Sequence, residues 1–370
     1  MKFIHTSDLH IGKTVNEVSM LEEQREILRQ VREIAVEEKA DAVVIAGDVY
    51  DRQIPSAEAV VLLDDFLTAL LGENIPVIMI SGNHDSGERV AFADRILQKQ
   101  GLYIAGGYDG TLKQVTFEDE WGRVTFVCMP FVKPAVATVE EMLSGTPMTP
   151  DLRSRHVLVT HYFVTGEDGK EPELSDSETS VNVGGLDNVS AAMFGCFDYV
   201  ALGHIHKRQK IGAGQVWYAG APLKYSFSEV NQKKGVNVVT LGEKGRVEIA
   251  FRALTPLHEM RVVTGSMAEL TAPEQWEKTE NADYIKAVLT DMEEFIDPIG
   301  TLRSIYPNIM QIEWEKNERR QAEDSMVLNS TENKTTGELF ADFYELLRGE
   351  PMDERRKRIV REVEEEMHEA

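Results

Sequence analysis

Residues 41–48, DAVVIAGD, place five consecutive apolar residues directly before a Gly-Asp pair. A run with no polar alternation is a strand buried on both faces, as in parallel sheets covered by helices on either side. IPVIMISGN (75–83) repeats the pattern. The segment between them, SAEAVVLLDDFLTALL (56–71), reads as a helix capped by Ser56, with Glu58 in its first turn. Upstream, residues 2–7 read as a short strand, and residues 18–38 set Leu21, Leu28, Val31 and Ala35 on one helical face. This βαβαβ order brings the carboxyl ends of the strands to one edge, where open α/β sheets bind ligands.

Further strands are expected at about 124–129, 156–160, 198–203, 216–219, 236–241 and 247–254. Strands outnumber helices there, so the sheet should become two stacked sheets. TGEDGKEPELSDSETS (165–180) is acidic, has no apolar period and reads as an exposed loop. Beyond residue 255, LHEMRVVTG, ADYIKAVLTD and NIMQIEWE suggest three short strands in a small α+β unit, 255–315. Residues 316–336 are polar and unpatterned, a linker. Residues 337–370 read as a helical hairpin. Leu339, Phe340, Phe343, Leu346 and Leu347 crowd its first helix, and Ile359, Val360 and Val363 mark its second. A two-helix hairpin cannot bury that surface alone and needs a surface to dock on.

The net charge of −24 argues against nonspecific polyanion binding by the whole surface, though metals can reverse the sign of a local cleft. Cys128 and Cys196 have no metal-ligand spacing to each other and read as small reduced core residues. The sequence shows no secretory leader and no apolar run long enough to span a membrane, which suggests a cytoplasmic protein.

Polar segments follow the apolar strands: SDLH (Asp8, His10), GD (Asp48), GNHD (Asn83, His84, Asp85), THY (His161) and GHIH (His204, His206). Adjacent strands lie ~4.8 Å apart, so side chains from several strand ends can converge on a metal. Carboxylates, imidazoles and one amide, without thiolate, suit Mn²⁺, Fe²⁺ or Zn²⁺ better than Ca²⁺ or Mg²⁺ alone. Asp8, His10, Asp48, Asn83, His161, His204 and His206 are too many for one ion and suit two that share a bridge. Asp48 is the natural bridge, being a carboxylate on a strand between the others in sequence order. Paired ions ~3.5–4 Å apart are a recurrent device for phosphoester hydrolysis. Each segment alone is weak, and a lone Gly-Asp is an ordinary turn; the signal lies in the ordered set. His5, His156, His258 and His368 read as structural or surface residues.

These ordered segments resemble the calcineurin-like metallophosphoesterases. HTSDLHIGK, GDVYDRQIPS, SGNHDSGERV, DYVALGHIHKRQ and YAGAPLKYSFSE further resemble the SbcD family, the nuclease subunits of bacterial SbcCD complexes, over residues 1 to about 245. The resemblance implies a two-sheet βαβ sandwich flanked by helices (1–254), a small α+β capping domain that binds DNA (255–315), a linker (316–336) and a C-terminal helical hairpin (337–370) that binds the SbcC ATPase. It implies one metal held by Asp8, His10, Asp48 and His206, and another by Asp48, Asn83, His161 and His204. His84 would contact the scissile phosphate and stabilise or protonate the leaving oxygen, with Asp85 a neighbour that could orient it. The metals implied are two Mn²⁺, with Mg²⁺ able to substitute. The activity implied is 3′-to-5′ exonuclease on duplex ends and endonuclease on single strands and hairpins, in DNA repair, recombination and replication. A homodimer through helices near 56–71 and 89–100 is also implied. Archaeal relatives carry a histidine where Asp51 stands, so that residue's contribution does not carry over. Asp51, Arg52, Arg89 and Lys207 are candidate substrate contacts, and Lys13 and Arg208 also flank the metal segments. The rival reading is a phosphoprotein phosphatase or cyclic-nucleotide phosphodiesterase. The phosphatase pattern GDxxDRG and GNHE differs from GDVYDRQ and GNHD here, and a non-catalytic scaffold would have lost ligands.

Overall fold

The structure is a computed structural model that describes residues 1–133, 135–147, 154–178, 188–275, 279–291, 295–315, 340–341, 344, 351–353 and 355–360. Two units are distinguished, Met1–Val288 with Glu294–Ile312, and Leu289–Glu293 with Glu313–Ala370. The principal strands are β1 (Lys2–Thr6), β2 (Ala42–Ala46), β3 (Val77–Ile80), β4 (Leu102–Ala105), β5 (Lys113–Asp119), β6 (Gly122–Met129), β7 (Arg155–Thr160), β8 (Tyr199–Leu202), β9 (Gln209–Ile211), β10 (Val216–Tyr218), β11 (Gly235–Leu241) and β12 (Val247–Ala253). They form two six-stranded sheets, ordered β12-β11-β1-β2-β3-β4 and β9-β10-β8-β7-β6-β5. β1 to β4 are mutually parallel, as are β6, β7, β8 and β10. Antiparallel pairs close the edges. The strands expected after residue 255 form a third sheet, β13 (Met260–Gly265), β14 (Tyr284–Leu289) and β15 (Ile309–Trp314).

Side-chain alternation explains the unbroken apolar runs. Ile4, Val43, Ile45, Val77 and Met79 face α1 (Leu21–Glu37) and α2 (Ala57–Gly72), packing with Ile27, Val31, Leu62 and Phe66. Phe3, Val44 and Ile78 point the other way and meet Phe126, Val157, Val159 and Tyr199 of the second sheet. Both faces are dry, so no polar residue interrupts DAVVIAG. Phe3 sits edge-on to Phe126 and Tyr199, with centroids 5.2 and 5.7 Å away. Phe126→Ala is expected to lower stability by about 3–5 kcal/mol, read from the urea midpoint. Ser56 caps α2 as its sequence suggests, accepting from the Ala59 amide at 3.2 Å.

Arg155 is buried at the start of β7 and joins the sheet edges. It donates to both oxygens of Asp119 and to the carbonyls of Gly122, Leu241 and Gly242. Burial pushes the Asp119 carboxyl up, but Arg155 and the Met1 ammonium outweigh it and hold it well below its usual value of 3.8. The lowered folded value means this stabilisation is complete above the unfolded value and is lost as pH falls through the folded one. Acid titration below about pH 4 should therefore destabilise the parent more steeply than Asp119→Asn, in melts followed by circular dichroism.

Several expectations are corrected. The helix expected near 89–100 is broken into turns at Gly87–Val90, Asp94–Leu97 and Gln98–Gln100, because Ala93 adopts a left-handed backbone (φ 61°). Strands β4, β5 and β9 come in addition to those expected. Cys128 is buried, but Cys196 is exposed rather than a core residue. Within 165–180, residues 167–171 are exposed, yet Ser175 is buried and Ser177 and Glu178 are half-buried. The linker 316–336 and most of the hairpin 337–370 lie outside the described residues, as does His368; residues 355–360 are helical.

Candidate metal centre

Every polar segment singled out above follows the carboxyl end of a parallel strand: Asp8 and His10 follow β1, Asp48 β2, Asn83 and His84 β3, His161 β7, and His204 and His206 β8. The two sheets thus deliver their loops to one place. Local backbone is bent to do so. Asp8 (φ 52°), His10 (φ 44°), Asp48 (φ 48°) and His204 (φ 100°) all adopt positive φ. For non-glycine residues this costs about 1–3 kcal/mol each and gathers at functional sites. Glycine at 47 is required twice over: its φ is +86°, and a Cβ would collide with the His161 imidazole. A Cβ at Gly82 would collide with the Asp48 carboxylate.

The side chains fall into two groups that share Asp48. In the first, His10 Nε2 stands 3.2 Å from His206 Nε2 and 3.7 Å from Asp48 Oδ2, and Asp8 offers a carboxylate oxygen to the same spot. In the second, His161 Nε2 is 3.2 Å from Asp48 Oδ2 and 3.1 Å from Asn83 Oδ1, which is 3.0 Å from His204 Nδ1. The structure brings together all seven residues proposed from the sequence. Asp8 is held by the Ser7 hydroxyl (2.5 Å) and the His204 amide (2.9 Å). His161 Nδ1–H donates to the Ala46 carbonyl (2.7 Å), which turns Nε2 toward Asp48 and Asn83.

This donor set fits divalent cations. Asp8 and Asp48 are buried carboxylates with no lysine or arginine ion-paired to either among the described residues. Burial pulls the His161 imidazole down, but Asp48 and Asp8 override it and lift the ring to about 9. Buried carboxylates here demand positive charge, which metal ions would supply. The facing Nε2 atoms of His10 and His206 similarly suit a shared cation better than each other.

The neighbours take different parts. Asp85 does not orient His84. It accepts from the amides of Gly82, Val49 and Tyr50 (2.8, 3.1 and 2.9 Å) and so braces the Asn83 loop against the Asp48 loop. Burial and the Asp48 carboxylate push its carboxyl up to about 6. The His84 amide donates to Asp48 Oδ1 (2.9 Å), and its Nδ1–H donates to the Asp51 carbonyl (3.0 Å), leaving Nε2 without a hydrogen-bond partner among the described residues. The Asp51 carboxylate lies 2.7 Å from Lys13 Nζ and 3.5 Å from His10 Nδ1. Asp51 therefore approaches the His10 ring with its carboxylate and accepts from His84 with its backbone carbonyl.

Of the candidate DNA contacts, Arg52 is exposed beside Asp51, Arg89 is exposed and donates to the Gln53 carbonyl, and Lys207 is paired with Glu173. Arg208 is packed between the rings of Trp217 and Phe251 and donates to Asn237, so it serves the fold. His5 is likewise structural, buried against the Tyr199 hydroxyl and Leu202 carbonyl. Sequence reasoning missed Ser177, Glu178, Glu229 and Lys234, which surround His206. Only Glu229 had a signal, as the last residue of YAGAPLKYSFSE.

Residues 1–208 match the family model of the calcineurin-like phosphoesterases, and residues 256–347 match that of the type 5 capsule protein repressor C-terminal domain. The chain belongs to the calcineurin-like phosphoesterase family, the class that its two-sheet fold and double donor cluster define. Its curated relatives place it within the SbcD branch. The SbcD subunit of the SbcCD nuclease from Staphylococcus epidermidis is 34% identical over 84% of this chain and 85% of its own length. Its counterpart from Staphylococcus saprophyticus is 32% identical over 91% of this chain and 94% of its own.

Proposed function

We propose that the chain is a metal-dependent DNA nuclease that hydrolyses phosphodiester bonds at the Asp48-centred site. The observation that carries this is the pair of donor groups sharing one buried carboxylate. Asp8, His10, Asp48 and His206 would hold one divalent ion, and Asp48, Asn83, His161 and His204 the other, most simply as Mn²⁺. Such a pair supplies nucleophile activation near neutral pH and charge neutralisation at phosphate. The protein supplies the rest. The Asp51 carbonyl fixes the His84 ring through Nδ1–H, so Nε2 is the atom that meets the scissile phosphate, and in the imidazolium form its N–H protonates or stabilises the leaving oxygen. Asp85 keeps the loops of Asp48 and Asn83 in register. Exposed Arg52 and Arg89 would meet DNA phosphates.

The relatives' name adds a partner: we assign an SbcC-type ATPase, bound by residues 337–370, with 255–315 as the DNA-contacting cap. With it the enzyme would work as an ATP-linked 3′-to-5′ exonuclease on duplex ends and an endonuclease on single strands and hairpins, in repair, recombination and replication in the cytoplasm. No helix among the described residues is long and apolar enough to cross a membrane. The exposed apolar residues Ile54, Val60, Val61, Phe92 and Ile96, in and beside segments 56–71 and 89–100, support a homodimer through those segments. Deleting 337–370 should abolish co-purification with the ATPase while sparing Mn²⁺-dependent cutting of short single-stranded DNA; undiminished co-purification refutes the tail's role.

The deciding experiment is a panel of labelled hairpin, duplex and single-stranded DNA, a phosphopeptide and a cyclic nucleotide, each with Mn²⁺, Mg²⁺ or chelator. DNA cleavage with Mn²⁺ that chelator removes is expected. Turnover of the phosphopeptide or cyclic nucleotide alone would overturn the reading.

A further inference from the structure

The metal donors lie in short segments at strand ends, yet one of them, His206, is gripped by residues far from those segments. Its amide donates to the Glu178 carboxylate. Its carbonyl accepts from Lys234 Nζ at 2.8 Å. Its Nδ1 lies 3.0 Å from Ser177 Oγ, which donates to Glu229 Oε1 at 2.9 Å. Glu229 is fully buried and paired with buried Lys234 at 2.5 Å. Among the described residues, no other donor is held at amide, carbonyl and ring by side chains from two separate segments.

From this geometry we infer that Ser177 and Glu229 are positioning residues for the His206 metal site, acting as a relay from imidazole to hydroxyl to buried carboxylate. A metal-binding histidine needs its remote ring N–H satisfied, which fixes the tautomer and aims the other nitrogen. Here Nδ1–H donates to Ser177 Oγ, and the serine passes its own proton's hydrogen bond to Glu229. Nε2 is thereby left as a lone pair facing His10 Nε2 at 3.2 Å. Lys234 fulfils two needs at once. It compensates the Glu229 charge, which would otherwise be buried alone, and it pins the His206 backbone. The 3₁₀ turn Asp176–Glu178 that presents the serine belongs to the acidic loop whose sequence shows no apolar pattern, so the loop contributes to the centre rather than merely crossing the surface.

The inference rests on the metal-centre reading, and its test separates the two. Mn²⁺ would be titrated calorimetrically into the full chain and into Ser177→Ala, Ser177→Thr and Glu229→Gln, with circular dichroism to check folding. The parent is expected to bind two ions. Ser177→Ala and Glu229→Gln should each weaken one binding step by about 10–100-fold and leave the other unchanged, while Ser177→Thr, which keeps the hydroxyl, should recover most of the loss. The double variant Ser177→Ala/Glu229→Gln should be little worse than the weaker single one, because both changes cut one chain. Two unchanged steps in folded Ser177→Ala would overturn the relay while leaving the centre intact. A parent that binds no Mn²⁺ would overturn both. Should Glu229→Gln fail to fold with Lys234 unpaired, Ser177→Ala and its threonine rescue decide alone.

Discussion

His84→Ser should leave two Mn²⁺ bound and slow DNA hydrolysis by about 10²–10⁴-fold, the usual contribution of a positioned acid–base group. The expectation follows from how the ring is held. Its Nδ1–H is committed to the Asp51 carbonyl, and Nε2 is the nitrogen left over. Its backbone amide, which the substitution preserves, is what supports Asp48. Serine therefore removes the chemistry and keeps the scaffold. His84 also lies within reach of a position shared with His10 and Asp48, so a ligand role is the rival reading. Metal stoichiometry separates the two: loss of an ion in His84→Ser would make it a ligand, and a parental cleavage rate would end its leaving-group role.

Asp48→Ala should be worse and different in kind. Asp48 reaches both donor groups, 3.7 Å from His10 Nε2 and 3.2 Å from His161 Nε2, with Asp8 behind it at 3.9 Å from His161 Nε2. Its removal should impair both binding steps together and cut hydrolysis by at least about 10³-fold, since metal charge stabilisation is worth several kcal/mol. Independent weakening of a single step would show that the carboxylate is not shared. Alanine also forfeits the anchor for the His84 amide, so excess metal should restore little activity.

Much of this was legible in the sequence because the same residues do two jobs. A strand dry on both faces must be uniformly apolar, and a donor at its end must be polar, so IAGD and ISGNHD announce both strand and site. α2 declared itself through Ser56 and its apolar face. What stayed hidden depends on contacts between distant segments. Asp51 looked like a substrate residue, but its carbonyl and carboxylate reach His84 and His10, and spacing alone cannot report either. Arg208 looked like a phosphate contact because it follows GHIHK, whereas two aromatic rings from later strands enclose it. The helix expected near 89–100 failed on one residue, Ala93, whose left-handed backbone no propensity foretells. Ser177 sits in a stretch without periodicity, and only the fold carries it to His206.

The origin of the donors has a consequence for thermal behaviour. Asp8, His10, Asp48 and Asn83 follow strands of one sheet and His161, His204 and His206 strands of the other, so a bound ion would rivet the two halves of the sandwich at their loop edge. Opening that seam would then require releasing the ions, and the melting temperature should climb with the logarithm of free metal concentration once the site's affinity is exceeded. The supply of that ion would thus set the enzyme's lifetime as well as its speed.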